Sequence, residues 1–460
     1  MSGALELFLE AAEIKSFDLA HRKTILYNIS QYDKKVLEGK EQFSNLELAK
    51  TRAAAIKQKG IESLDKYLIE FEANFIKRGG KVIWATDAEE AANEALQIMK
   101  RAKTKTVVKA KSMATEEINF NEALEEQGIE SIETDLGEYI VQLRKEPPYH
   151  IVTPAMHLSK EEVAQTFNEK KQTPIEFTPE QITNFVREEL RLRYSKAEVG
   201  VSGGNFLIAD VGAVAVTENE GNGLMSAAFP KIQIAIVGIE KIIPSIMDLD
   251  LFWPLLSTYG TGQSITVYNT IYTGPKQQGE KDGPDEMYVI LLDNGRTTVL
   301  AETEQRRALS CIKCGACLNA CPVYQTVGGH TYGTTYSGPI GSIITPHFKG
   351  MEEFKHLSFA STLCGKCTEV CPVKIDIHKL LQINRKQSVD MKLSTKTENW
   401  VWHFWKRAML KRSKMDKGGA KLKNFMIKQF FKKQWGERRE LPQVVNKSFN
   451  QIWRERKGVK

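Results

Sequence analysis

Residues 311–322 read CIKCGACLNACP and residues 361–372 read STLCGKCTEVCP. The first stretch sets Cys311, Cys314, Cys317 and Cys321 at C-x2-C-x2-C-x3-C, with Pro322 behind the last thiol. The second sets Cys364, Cys367 and Cys371 at C-x2-C-x3-C with Pro372 behind it, and its leading cysteine position holds Ser361. Gaps of two residues let successive thiolates wrap one side of a compact polynuclear metal group. Gly315 lets the backbone approach such a group with no side chain in the way. Pro322 fixes φ, lacks an N–H, and redirects the chain just past the fourth thiol. All seven cysteines of the 460-residue chain lie between Cys311 and Cys371. A disulfide framework would spread an even number over the fold, so this placement points to metal or redox chemistry at one place.

The four-cysteine run with its trailing proline is the spacing of ferredoxin-type [4Fe–4S] ligation, in which the fourth cysteine serves the other cube. In that crossed arrangement the first cluster takes Cys311, Cys314, Cys317 and Cys371. The second takes Cys321, Cys364 and Cys367, one thiolate short of the eight that two cubes need. Ser361, another nearby side chain or water could fill the gap, or nothing does and the second cluster is [3Fe–4S]. Zinc is the competing metal, but zinc modules usually pair C-x2-C with C-x2-C. Two clusters with no other reactive constellation imply relay of single electrons.

Upstream, strand-like and helix-like segments alternate. Residues 1–45 are polar and helix-prone with little to anchor them, and 46–78 carry apolar residues at helical spacing until Gly79-Gly80 stops the helix. KVIWA (81–85) is a strand, and 87–101 a helix with Asp87 as N-cap. Residues 106–109 are the next strand, 115–127 a helix, 129–133 and 150–153 further strands, and 160–168 a helix. Such alternation predicts a mostly parallel sheet flanked by helices. The glycine-punctuated, β-branched strands of 199–243 are expected to join the same sheet domain, which ends near residue 300. The chain thus divides into a helical segment (1–69), an α/β domain (70–300), an α-helical ferredoxin-type two-cluster domain (301–390) and a helical basic tail (391–460).

Charge is polarised along the chain. The net charge of +7 combines a tail, 391–460, with 20 Lys and Arg against 5 Asp and Glu, and an acidic body of net −8. The tail also holds Trp400, Trp402, Trp405, Trp435 and Trp453, five of seven tryptophans. Interleaved basic and aromatic residues grip nucleic acid or an anionic membrane surface, or dock on an acidic partner. No run of about 18 apolar residues exists to span a membrane, and the N-terminus lacks the basic character of a secretory signal. A cytoplasmic protein is expected.

The segment from Cys311 to Pro346, followed by LCGKCTEVCPVKIDIH, resembles the lactate utilization protein B family, as do KSMATEEI (111–118), GIESIETDLGEYIVQL (128–143) and GVSGGNFLIADVG (200–212). The resemblance covers nearly the whole chain. It implies an α/β domain similar to the sugar-phosphate isomerase and CoA-transferase-like group, and an iron–sulfur subunit of a three-protein, NAD-independent system oxidising L-lactate to pyruvate. Its partners would be a cysteine-rich redox subunit and a smaller subunit with the same α/β domain. No nucleic acid is expected; the tail is left for partner docking or peripheral contact with a membrane surface. The missing fourth cysteine of the second motif is also the family's pattern. The alternatives are a self-contained oxidoreductase binding substrate at the iron without a cysteine, and, further off, a nucleic-acid-binding iron–sulfur protein.

Other candidates are weaker. Ser202-Gly203-Gly204-Asn205 lacks the G-x-G-x-x-G spacing of a dinucleotide site. Residues Asn219, Glu220, Gly221 and Asn222 read as a hairpin turn before an anion site. Glu133, Asp135, Glu138 and His157 are candidates for a cleft at strand ends, with ordinary solvated carboxylates the better expectation. His330, Tyr332 and Tyr336, in the glycine-rich stretch between the motifs, read as packed loop residues before a docking face. His378 reads as a capping or surface residue.

Overall fold

The computed structural model describes residues 3–415, 419–435 and 440–458. Among the described residues ten strands arise in chain order: β1 (Lys81–Ala85), β2 (Thr106–Lys109), β3 (Glu130–Glu133), β4 (Val199–Ser202), β5 (Phe206–Ile208), β6 (Ala213–Glu218), β7 (Ile232–Gly238), β8 (Ile242–Ile243), β9 (Tyr268–Tyr272) and β10 (Glu286–Leu292). Six of them form a parallel sheet in the order β1-β10-β7-β4-β2-β3. The strand β7 (IQIAIVG) is buried at every position, as a strand covered by helices on both faces must be. Helix Ala88–Arg101 starts where the Asp87 carboxylate accepts the Glu90 N–H at 2.9 Å, and its alanine face packs on the sheet through Ala91, Ala95 and Met99.

The α/β expectation holds, and the structure corrects five details. Strands β5, β6, β8 and β9 leave the parallel sheet and form a second, mixed sheet in the order β8-β5-β6-β9. The expected strand at 150–153 is an irregular loop. Pro147, Pro148 and Pro154 flank it, the Val152 and Thr153 N–H groups turn back onto His150 Nδ1 rather than a neighbouring strand, and the Tyr149 N–H closes onto the Pro154 carbonyl at 2.9 Å. The helix expected over 46–78 is two, Leu46–Glu62 and Leu64–Lys77, broken at Ser63. The helix expected over 115–127 is likewise two, Met113–Glu117 and Phe120–Glu126, broken at Asn119, whose φ is +50°. Finally, residues 3–40 are anchored: helix Leu19–Lys40 buries Ile25 and Ile29.

Residues 1–388 form one compact unit and residues 389–460 another. In the first, one apolar cluster runs through Phe206 and Ile208 of β5, Phe252 of helix Leu249–Thr261, Ile312 and Leu318 of the first cysteine loop, and Ile340 of helix Gly338–Phe348. The cysteine region is therefore built into the α/β body. In the second unit, helix Lys396–Met409 is capped by Thr395 and exposes Trp400, Trp402, Phe404 and Trp405.

Candidate iron–sulfur centre and the adjoining cavity

The two cysteine loops repeat one backbone path. Lys313 and Leu363 both take positive φ (59° and 53°), as do Gly315 and Gly365 (79° and 84°), before the short helices Ala316–Asn319 and Lys366–Glu369. In the first loop the Lys313 N–H donates to Cys311 Sγ at 3.3 Å. In the second the Leu363 N–H donates to Ser361 Oγ at 3.1 Å. The Ser361 oxygen thus stands in its loop where the Cys311 sulfur stands in the other.

The fold brings the thiols together in two sets. The charges of Cys311, Cys314 and Cys371 all bear on Cys317, while those of Cys321 and Cys364 bear on Cys367. Cys311 is half-buried and Cys364 exposed, and the other five are buried. Burial first, then neighbouring thiolates and opposing backbone donors, leaves Cys367 and Cys371 pushed up to about 11. Thiolates gathered like this need cationic metal to ionise together. The Ile375 N–H also points at Cys371 Sγ (3.3 Å), the kind of donor that tunes a cluster sulfur. The donor set fits iron–sulfur clusters.

Beside the first loop, at the C-terminal ends of β4 and β7, lies a cavity of about 380 Å³ lined by Ser202, Gly238, Lys241, Lys313 and Tyr336, with Lys111, Asp135, Glu218 and Glu220 among the other lining groups. Strand ends are where open α/β sheets bind ligands. Its floor is a buried ion network. The Arg296 guanidinium grips Glu117 through two contacts of 2.8 Å and also bonds Glu240. Tyr336 Oη donates to Glu117 at 2.6 Å. Burial would raise the Glu240 carboxyl, yet Arg296 holds it down at about 2. Lys57 Nζ donates to the carbonyls of Glu240 and Ile242, and burial lowers it to about 7. Burial, opposed by Glu240, lowers Lys241 to about 8. On the far wall burial and then Asp135 push Glu220 up to about 7.

Of the cleft candidates only Asp135 reaches this cavity. Glu133 pairs with the buried Lys109 at 2.7 Å, and Glu138, raised by burial and then by Glu133, lies beside that pair. His157 lies elsewhere, with Glu146 and His330. Its Nε2 meets Glu146 Oε2 at 3.0 Å, and burial lowers its pKa to about 4. The turn at 219–222 leads from β6 into helix Asn222–Ala228, so it is not a hairpin. The helix N–H groups of Gly223 and Leu224 are already taken by the Glu218 carboxylate at 2.6 and 2.8 Å. Tyr332 and Tyr336 are packed as expected, and His378 Nδ1 meets Thr368 Oγ1 at 2.7 Å. The sequence reading missed Lys57, Glu117, Glu240, Lys241 and Arg296. The one available signal was the Glu240-Lys241 pair just past the fully buried strand β7, with only Ile239 between.

A parallel-sheet α/β body continuous with a two-loop cysteine module defines a class: residues 68–292 match the LUD domain family and residues 307–375 the 4Fe-4S dicluster domain family. The lactate utilization protein B of Bacillus velezensis is 45% identical over 355 residues, covering 77% of this chain and 74% of that one. That of Bacillus subtilis is 44% identical over the same shares. The chain belongs to the lactate utilization protein B family. A crystal structure of a DUF162 family protein from Deinococcus radiodurans overlaps 50% of this chain and 98% of its own at 12% identity, with a TM-score of 0.29.

Proposed function

We propose that this chain is an iron–sulfur subunit of a system that oxidises L-lactate to pyruvate, with one cluster on Cys311, Cys314, Cys317 and Cys371 and a second on Cys321, Cys364 and Cys367. The observation that carries the reading is the pair of equivalent cysteine loops, whose thiols gather in those two sets. When bound, such clusters accept and release single electrons. The chain's own residues then set the conditions. The apolar core around Cys314 and Cys317 keeps water from the first set. Lys241 and Lys313 place positive charge beside Cys311, which favours the more negative, reduced state. Cys364, at the surface, puts one ligand of the second set within reach of a redox partner.

The partners in this reading are a cysteine-rich redox subunit and a smaller LUD-domain subunit, with the basic tail as a docking segment. The tail joins them, or lies on an anionic membrane surface, by charges that salt screens over about 8 Å. No helix among the described residues is long and apolar enough to cross a membrane, and the tail contact in this reading is a peripheral one. The reading also keeps the division into four segments at 1–69, 70–300, 301–390 and 391–460. Anaerobically purified protein is expected to be brown, to bleach with dithionite, and to hold about eight irons or slightly fewer with matching sulfide. Stoichiometric zinc without a visible chromophore would overturn the proposal.

A further inference from the structure

The cavity at the ends of β4 and β7 carries its charge unevenly. At one end Arg296 pairs with both Glu117 and Glu240. Lys241 and Lys313, which line the same end, have no carboxylate within salt-bridge distance among the described residues. Lys313 Nζ rests on the Tyr336 ring, 4.0 Å from its centre, and it raises the electrostatic cost of holding Lys241 beside it. Glu240 attracts both lysines but is shared with Arg296, so this end sets Arg296, Lys241 and Lys313 against Glu117 and Glu240, and a bound anion offsets the positive charge left over. The lining also holds an acidic wall of Asp135, Glu218 and Glu220, which the cation there, Lys111, 4.0 Å from Asp135, offsets only in part. A ligand with a second negative charge would meet these carboxylates, so the occupant carries one. Phosphate prefers clustered backbone N–H groups at a helix start. Here the start of helix Asn222–Ala228 is filled by Glu218. An uncharged hydroxyl suits the acidic wall, which offers acceptors.

We infer that this cavity binds a small monocarboxylate bearing a 2-hydroxyl or 2-oxo group, its carboxylate between Lys241 and Lys313 and its 2-oxygen toward the Asp135–Glu220 wall. The site lies against the first cysteine loop, so the substrate class would be held beside Cys311 within this chain. The 2-oxygen part rests on the proposed role in lactate oxidation; the monoanion site stands on the charges alone.

The test is calorimetric titration of the full-length, iron-loaded protein under anaerobic conditions with L-lactate, pyruvate, propionate, malate and inorganic phosphate. L-Lactate and pyruvate are expected to bind, with malate and phosphate weaker by about tenfold or more. Lys241→Met is expected to weaken lactate by about tenfold or more and Lys241→Arg to restore most of it, with iron and sulfide content unchanged in both. Lys241 is the position to vary because Lys313 sits in the cysteine loop itself. Lactate binding unaltered in Lys241→Met overturns the inference, as does absence of any monocarboxylate binding to fully loaded protein. Propionate binding as tightly as lactate, with both lost in Lys241→Met, overturns the 2-oxygen part and leaves the monoanion site. A protein that binds lactate through Lys241 yet contains zinc in place of iron would defeat the iron–sulfur reading and not this one.

Discussion

At Gly315 a Cβ would meet His150 Cε1 at 3.0 Å on a backbone with φ of +79°, whereas at the equivalent Gly365 nothing lies within 4 Å. A left-handed conformation costs an ordinary residue roughly 1–2 kcal/mol. Gly365→Ala is therefore expected to lower stability by about that amount, and Gly315→Ala by more, read as the urea midpoint at which the chromophore is lost. Equal losses would show that His150 gives way freely. Ser361 offers a second comparison. Its hydroxyl accepts the same backbone donor that Cys311 accepts in the first loop, so Ser361→Cys is expected to complete a four-thiol set and raise the iron count toward eight. Ser361→Ala should alter the EPR signal of the second set alone. A change confined to the first set would show that the serine is not placed as its geometry implies. These residues were legible because ligand spacing is local: the offset between the motifs puts Ser361 opposite Cys311 by counting alone. Lys241 and Arg296 were not, because 55 positions separate them along the chain and only the parallel pairing of β7 with β10 brings them together.

Among the elements, the loop that replaces the expected strand at 150–153 has the largest effect. It turns the His150 ring inward, with Nδ1 accepting the Val152 and Thr153 N–H groups at 3.1 and 3.3 Å. Burial, followed by the charge of Lys111, lowers the His150 pKa from 6.5 to about 3. Below pH 6.5 the unfolded chain then binds a proton that the folded chain refuses, so stability from this group is complete above that pH and falls as pH drops toward 3. Between pH 8 and pH 5 the protein should lose up to about 2 kcal/mol relative to His150→Gln. Parallel urea profiles for the two proteins would rule this out. The helix Met113–Glu117 has a comparable hold on the sheet, because Glu117 carries the Arg296 guanidinium. Glu117→Ala leaves that guanidinium with Glu240 as its one carboxylate partner beside the Asp293 carbonyl and is expected to cost about 3–5 kcal/mol in urea unfolding. The sequence announced neither feature. Proline-flanked apolar residues look like a strand, and a glutamate in a polar helix looks solvated, until the chain returns to cover them.

On the scale of the molecule, the apolar cluster that the cysteine loops share with the second sheet has no counterpart in the sequence reading, which ended the α/β domain near residue 300. Composition changes there, but Ile312 and Leu318 pack with Phe206 and Phe252 all the same. The basic, tryptophan-rich tail was legible in full as composition, because exposed charge and aromatic content need no tertiary context. A chain ending at Ser388 is expected to keep the chromophore and the urea midpoint of the whole protein while losing salt-sensitive association with its partners. Loss of the chromophore on truncation would show that the tail supports the fold. With iron held as proposed, the first set joins Cys317 to Cys371 and the second joins Cys321 to Cys364, so the stretch between the loops, with His330 and Tyr336, is closed into a ring at both ends. Ring closure restricts the unfolded chain, and its entropic cost grows only slowly with ring size, so a long stretch can be fastened by metal at little more cost than a short one. Iron supply would then govern the half-life of this half of the molecule in the cell, and a starved cell would hold a chain whose central loop has lost its fastenings and lies open to proteolysis.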